Sequence, residues 1–220
     1  MTKLVWDADG ERYFNTGCDQ GVLYPYANGA YLKGVAWNGL ISVSDTPSGA
    51  EAKPQYADNL KYLELRSPEE KGLTIEAFQS PPEFDVCDGT AEVSTGVYIA
   101  QQEREKFGFS WRSRKGNDTL NENYGYYIHI AYGCSATPSE RAYSTINESP
   151  EAATFSWEVQ TTKVPITGRR PSSYVKIDST KAPAAKLAEL EDALYGAAVG
   201  ATGGVLPTLS EVLAIFDITP

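Results

Sequence analysis

The sequence contains few of the residues on which metal and redox chemistry depend. It has three cysteines, Cys18, Cys87 and Cys134, and one histidine, His129, among 220 residues. The cysteines are widely separated and include no Cys-x-x-Cys pair, which disfavours a disulfide framework and a structural zinc site. We expect them to be buried, reduced thiols. A single histidine cannot supply a histidine-rich metal site or a pair of acid–base groups within one chain.

Positive charge and long apolar runs are also scarce. Lys and Arg number 19 against 29 Asp and Glu, a net charge of -10, which disfavours a surface built to hold phosphates. The N-terminus becomes acidic before any apolar stretch forms, so we expect no secretory signal. The weakly apolar stretch at residues 194–206 is Gly-rich and too short to span a bilayer. These absences predict a soluble protein that is made inside the cell and does not enter a membrane.

Alternation of apolar and polar residues with a period of two dominates the middle of the chain, which is typical of strands with one buried face. The clearest case is residues 154–162, where Phe155, Trp157 and Val159 alternate with polar residues. The chain is therefore predicted to be mainly β. Further strands are predicted at residues 35–44, 60–67, 72–79, 96–113, 124–134 and 173–177.

Two of these strands carry more specific expectations. In residues 35–44, we expect Val35, Trp37, Ile41 and Val43 to share one face. Residues 96–113 predict one long strand, bulged or bent at the charged run that begins at Glu103.

The alternation stops after residue 45. Thr46-Pro47-Ser48-Gly49 is a turn-forming sequence, and the polar run to Asn59 has no periodicity. Both features predict an extended loop, which we place at residues 45–70. A short helical turn is predicted to start within Ser80-Pro81-Pro82-Glu83-Phe84 and to end near Gly89.

Helical spacing replaces alternation near the C-terminus. Pro183 suits the first turn of a helix, and Gly196 ends the pattern. Residues 196–204 read as a flexible linker. Thr208 and Glu211 then form a capping-box pattern that predicts a second short helix. We divide the chain into a β-rich domain at residues 1–180, with an N-terminal arm, and a helical segment at 181–220.

Candidate chemical groups are sparse, and each has a structural alternative. Glu103 and Glu105 could act as paired carboxylates or lie on a solvated strand, and His129 could be a catalyst or a packed strand residue. No Gly-x-Ser-x-Gly elbow is present. An acidic cluster could hold calcium, although its spacing does not match an EF-hand. We expect no catalytic residues, cofactor or metal. The acidic cluster considered for calcium consists of Glu83, Asp85, Asp88 and Glu92.

A series of short motifs, in order along residues 30–160, resembles the major tail (tube) proteins of long-tailed phages of Gram-positive bacteria. They include Gly34-Val35-Ala36-Trp37-Asn38-Gly39-Leu40, Tyr56-Ala57-Asp58-Asn59, Thr74-Ile75-Glu76-Ala77, Cys87-Asp88-Gly89 and Phe155-Ser156-Trp157-Glu158. The resemblance implies a β-sandwich or barrel with a flanking helix. It also implies stacked hexameric rings around a DNA-conducting channel in the virion tail, and it favours a non-contractile tail.

The resemblance further implies partners and a role for the loop. The partners would be other copies of the chain and the tape measure, tail tip and tail terminator proteins, while DNA passes through without specific binding. The loop would bridge rings, and an acidic channel would let DNA slide without sticking. The candidate inter-ring residues are Thr46, Pro47, Ser48, Glu51, Tyr56, Asp58, Asn59, Glu69 and Glu70.

The channel wall is assigned from the strand pattern within such a tube. If Phe155, Trp157 and Val159 face the core, the opposite face meets water, and in a closed tube that water is the lumen. The candidate lumen-lining residues are therefore Glu158, Gln160 and Thr162. A strand on the tube exterior would show the same pattern. A β-sandwich carbohydrate-binding module, a virion decoration protein and, more remotely, an enzyme stay open as alternatives.

Overall fold

The computed structural model describes residues 3–143, 145, 152–166, 168–197 and 203–218. These residues are mainly β, with one large antiparallel sheet and two helices, which confirms the predicted fold class. A 3₁₀ turn at Pro82–Phe84 confirms the predicted helical turn.

The helices are α1 (Ala184–Tyr195) and α2 (Leu209–Ile215). The strands are β1 (Tyr13–Ala27), β2 (Ala30–Tyr31), β3 (Val35–Ala36), β4 (Leu40–Asp45), β5 (Ser48–Gly49), β6 (Ala52–Ala57), β7 (Leu60–Arg66), β8 (Glu69–Glu70), β9 (Gly72–Ala77), β10 (Ala91–Ser94), β11 (Val97–Ile99), β12 (Phe107–Asn117), β13 (Asn121–Ala136), β14 (Phe155–Thr161), β15 (Val164–Ile166), β16 (Arg169–Ser172) and β17 (Tyr174–Asp178).

The large sheet has nine strands in the order β2-β1-β12-β13-β14-β9-β4, with β3 paired to β1 and β17 paired to β13. The sheet curls so that β4, at one end of this order, comes back against β1, near the other end. The Trp37 N–H donates to the Gly21 carbonyl at 2.8 Å, and a Cβ at Gly21 would lie 3.0 Å from the Leu40 side chain. A larger residue at position 21 would therefore press on the Leu40 side chain, which would have to shift.

The first hydrophobic core fills the inside of this curl. Trp37 lies at its centre, with ring centroids 4.8 Å from Phe84 and 5.4 Å from Trp157. Trp157 and Val159 are buried, and Phe155 packs against the same cluster from a partly buried position. The predicted core face of residues 154–162 is thus confirmed.

The second core lies on the opposite face of the sheet, beneath the two helices. Ile128, Ile130 and Tyr132 of β13 pack with Leu190 and Leu194 of α1. On the other face of the same strand, Ala131 is buried in the first core. Since β13 is covered on both faces, it can carry apolar residues at consecutive positions.

The C-terminal helices match their sequence signals. Pro183 precedes α1, and Gly196 ends it with a φ of 89°. Thr208 caps α2 with a reciprocal capping box to Glu211. Residues 198–202 of the predicted linker lie outside the described part, so its flexibility stays a prediction. The division of the chain at residues 180 and 181 also stays a prediction.

Strand β1 has 15 residues, and no pattern in the sequence predicted it. Two register shifts, at Thr16/Cys18 and at Asp19/Val22, interrupt its pairing with β12. Residues 21–24 are all buried. Each bulge switches the inward-facing side chains between odd-numbered and even-numbered residues, and burial on both faces removes the alternation of apolar and polar residues. The strand therefore shows no pattern with a period of two.

The expected face of residues 35–44 was wrong at Ile41. Gly39 has a φ of 74°, and this turn separates β3 from β4. As a result, Leu40 and Val43 pack against the first core, whereas Ile41 is 39% exposed.

The single long strand predicted at residues 96–113 was also wrong. Strand β11 pairs only with β10, and β12 begins at Phe107. Between them, the Arg104 guanidinium pairs with Asp88 at 3.2 Å and donates to the Ala136 carbonyl at 3.1 Å. These contacts hold the charged run in an irregular conformation instead of a bent strand, so Glu103 and Glu105 do not lie on a common strand face.

The three cysteines are free thiols. Cys87 and Cys134 are buried as expected, but Cys18 is only half-buried. Burial raises the pKa of Cys87 to about 12 and that of Cys18 to about 11, and it also raises the pKa of the fully buried Cys134. All three are therefore protonated and poorly nucleophilic at neutral pH.

Candidate functional site

The segment predicted as an extended loop is a β-hairpin that projects from the sheet. Strands β5 and β8 pair at its root, and β6 and β7 pair beyond them. Asp58 and Asn59 form the tip with φ values of 49° and 61°, as in a type I′ turn. Strand β7 confirms the strand predicted at residues 60–67. Strand β6 was not predicted, because its polar sequence has no buried face and therefore no period of two.

Every residue from 46 to 70 is exposed, including all nine candidate inter-ring residues. Several are large and apolar, and they lie on both faces of the ribbon: Tyr56, Leu60, Tyr62, Leu63 and Leu65. A two-stranded hairpin is at best marginally stable by itself in water. The hairpin therefore presents apolar surface that its own chain does not cover, and such surface marks interaction sites.

A second feature is the outward face of the three neighbouring strands β4, β9 and β14. Cross-strand pairs place Glu158 opposite Thr74 and Ser156 opposite Glu76. The Ser42 hydroxyl donates to Glu76 Oε2 at 2.7 Å. This face, which we call the polar face, consists of short polar side chains and two carboxylates: Ser42, Ser44, Thr74, Glu76, Ser156, Glu158 and Gln160.

The polar face meets the root of the hairpin in a groove of about 650 Å³. All three candidate lumen-lining residues line this groove. Three of the nine candidate inter-ring residues, Thr46, Ser48 and Glu70, line it as well. The structure thus brings two separately predicted sets together, while the remaining inter-ring candidates lie along the hairpin.

The charge of the polar face is negative. Among the described residues, Glu76 and Glu158 form no ion pair. Two lysines line the adjoining groove: Lys71 is paired with Asp45 at 2.6 Å, and Lys163 has no ion pair among the described residues. Glu158 could be identified from the sequence but Glu76 could not, because the pairing of β9 with β14 is needed to place both on one face. A surface of this kind repels phosphate and offers no bidentate donor that could hold it.

His129 lies in a hydrogen-bonded chain that the sequence did not reveal. Its Nε2 is 2.7 Å from Ser113 Oγ, and its Nδ1 is 2.6 Å from the Tyr174 hydroxyl. The ring stacks on Trp111 at 4.9 Å. Burial lowers the pKa of His129 to about 4. A catalytic histidine is usually held by a carboxylate that stabilises its protonated form. Here the group at Nδ1 is the Tyr174 phenol, and burial raises its pKa. Of the two roles considered for His129, these contacts favour that of a packed strand residue over that of a catalyst.

The acidic cluster is occupied by other contacts. Asp88 pairs with Arg104 at 3.2 Å and also with Arg141. Glu92 accepts a hydrogen bond from the Gly96 N–H at 2.8 Å in the β10–β11 turn. The described residues contain no group of three His, Cys, Asp or Glu side chains arranged to hold a metal ion. In the same part of the chain, no helix has the length and apolar character of a membrane span.

Comparisons with known proteins give little further information. No protein-family profile matches the chain, and no curated protein matches it. Among solved structures, one similar chain comes from the "Cryo-EM structure of the anti-feeding prophage (AFP) baseplate, 6-fold symmetrised". The match has 9% sequence identity and a TM-score of 0.37, and it covers 81% of this chain and 99% of that chain. A likeness this distant carries no argument about function.

Proposed function

We propose that the chain is the repeating structural subunit of a phage tail tube. In this proposal, copies form hexameric rings that stack into a channel, and DNA passes through without being held. The number of copies per ring, the virion location and the partners (tape measure, tail tip and tail terminator proteins) rest on the sequence resemblance alone. A non-catalytic role is part of the proposal.

The observation that carries the proposal is the polar face. Glu76 and Glu158 are diagonal neighbours on paired strands, surrounded by short hydroxyl and amide side chains. Six copies around an axis would repeat these carboxylates as rings of negative charge. Such a wall would repel the DNA backbone at short range, because the polar face itself carries no Lys or Arg that could release counterions. Of the two lysines at the adjoining groove, Lys71 is paired with Asp45, which leaves Lys163 as a cation at its edge.

The hairpin gives independent support for self-assembly. It leaves the body at one edge of the polar face, and its apolar residues are exposed on both sides. A hairpin that extends along the tube axis could cover these residues against the next ring. Exposed strand edges would then pair with neighbouring copies instead of aggregating without limit.

Electron microscopy of the purified protein over a range of concentrations tests the proposal. We expect rings or tubes of constant diameter, with hexamers or their multiples in light scattering at intermediate concentrations. A strictly monomeric mass at every concentration, with no tubes in the images, would count against a tube subunit. Glycan binding by that monomer would instead support the carbohydrate-binding alternative.

A further inference from the structure

The hairpin joins the body at the short strands β5 and β8, and the backbone is closely packed at this root. The Thr46 N–H donates to the Gly72 carbonyl at 2.9 Å, and a Cβ at Gly72 would lie 2.5 Å from the Thr46 carbonyl oxygen. A Cβ at Gly49 would likewise overlap the Pro68 carbonyl oxygen. Glycine at these positions allows two backbones to approach this closely. The two arms of the hairpin are therefore held against each other where they leave the body.

The backbone of Lys71, the residue that follows β8, ties this root to the body. Its carbonyl accepts hydrogen bonds from the Thr161 N–H at 3.2 Å and from the Thr161 hydroxyl at 2.6 Å. The same hydroxyl lies 2.7 Å from Ser173 Oγ. One carbonyl of the root is thus bound to the end of β14 and, through it, to the residue that precedes β17.

The side chain of Lys71 turns back onto the body as well. Its Nζ pairs with Asp45 Oδ2 at 2.6 Å and lies 4.4 Å from the centroid of the Tyr174 ring. The Lys71 side chain is only 19% exposed, and a cation–π contact gains strength when the cation is partly removed from water. Lys71 therefore joins the hairpin root to β4 and to β17 at the same time.

The Tyr174 ring is itself held in place from the interior of the body. Its hydroxyl lies 2.6 Å from His129 Nδ1, and His129 Nε2 lies 2.7 Å from Ser113 Oγ. The imidazole stacks on Trp111, which belongs to the first core. A continuous series of contacts thus runs from the core to the hairpin root, so the ring beneath Lys71 has a defined position.

We infer that the hairpin projects in one fixed direction before any partner binds it, and that Lys71 is the positioning residue that sets this direction. A ribbon on flexible linkers would sample many directions and would have to be ordered on binding, whereas a ribbon with a fixed base avoids most of that entropic cost. The fixed direction is a property of the single chain and goes beyond the proposed function. Only its effect on tube formation rests on that function.

Pulsed electron paramagnetic resonance of the monomer tests the inference. Ala57→Cys near the hairpin tip and Ala185→Cys on α1, both at exposed positions, carry nitroxide labels in protein with Cys18→Ser, which removes the half-buried thiol. Dilution with unlabelled protein suppresses distances between copies. We expect one narrow distance distribution. Lys71→Met, which removes the charge and keeps an unbranched side chain, should at least double its width, and Lys71→Arg should restore the narrow distribution.

Two further variants separate positioning from a general loss of structure. Lys61→Met is the matched control, because this lysine pairs with Glu64 inside the hairpin, and it should leave the width unchanged. Asp45→Asn removes the ion pair of Lys71 but keeps its contact with Tyr174, so we expect a smaller broadening. This variant also tests the inference if Lys71→Met does not fold. Thermal unfolding followed by circular dichroism verifies the body of each variant.

The outcomes distinguish this inference from the proposed function. A broad distribution in the parent protein, or an equally narrow one in Lys71→Met and Asp45→Asn, would overturn the fixed hairpin, and wild-type tubes in the same preparation would leave the tube subunit intact. If the distances behave as expected but the wild-type protein forms no tubes, the fixed hairpin stands and the tube proposal fails. If both hold, Lys71→Met should slow tube growth several-fold in light scattering, and growth at the wild-type rate would contradict a role for the direction in assembly.

Discussion

The body of the protein and its hairpin differ in where their side chains find partners. In the curled sheet, Trp37, Phe109 and Trp157 are buried within one chain. In the hairpin, Tyr56, Leu60 and Tyr62 are more than two-thirds exposed. From this contrast we expect the body to be stable as a monomer, and we expect the apolar surface of the hairpin to contact another molecule.

The largest effect should come from removing the hairpin. The N–H of Thr46 donates to the carbonyl of Gly72 at 2.9 Å, so a short glycine linker can replace residues 48–70. We expect a folded monomer with a Tm within a few degrees of wild type, because the hairpin contributes nothing to either core, and we expect tube formation to be lost. Tubes of wild-type length in micrographs of the deleted protein would show that the hairpin does not join copies.

The second prediction compares single side chains of the two regions. Trp157→Ala should lower the free energy of unfolding by about 3–5 kcal/mol, because it leaves a cavity in the first core. Tyr62→Ala in the hairpin should change it by less than about 0.5 kcal/mol. Denaturant unfolding of the monomer measures both. Similar losses for the two variants would mean that the hairpin is part of the cooperative unit.

The third prediction concerns pH and the body alone. Burial, together with the nearby cations Lys176 and Lys71, lowers the pKa of His129 from 6.5 to about 4. The unfolded chain therefore binds a proton that the folded chain does not between these values, and stability falls as pH decreases from about 6.5 to about 4. We expect the free energy of unfolding to fall by about 1–2 kcal/mol over this range. This is less than the full shift of the His129 pKa implies, because the ring is partly solvated. His129→Gln should flatten this part of the profile, and an unchanged profile would contradict the assignment.

The smallest change in stability should come from the polar face. Glu158→Lys should alter the free energy of unfolding by no more than about 0.5 kcal/mol, because the residue is exposed. In assembled tails it should slow DNA ejection, most visibly at low salt, where charges are weakly screened. Glu158→Gln is the matched control and should have a weaker effect. A density map with Glu158 on the outer surface, or unchanged ejection with Lys at this position, would exclude it from the channel wall.

Local patterns in the sequence were sufficient for the features that depend on near neighbours. The alternation around Trp157 follows from a strand with one buried face, and the capping box of Thr208 and Glu211 is complete within four residues. Pro183 and Gly196 set the bounds of α1 for the same reason. The mainly β fold and Glu158 as an outward residue could therefore be predicted.

Tertiary structure alone decided the features that join distant segments. Strand β1 escaped prediction because its bulges and its two covered faces erase any simple period. Glu76 became a neighbour of Glu158 only through strand pairing, and the groove at the root of the hairpin is assembled from segments that lie far apart in the chain. A sequence pattern reports which face of a segment prefers water, whereas the identity of the segment on the other side is set by how the whole sheet curls.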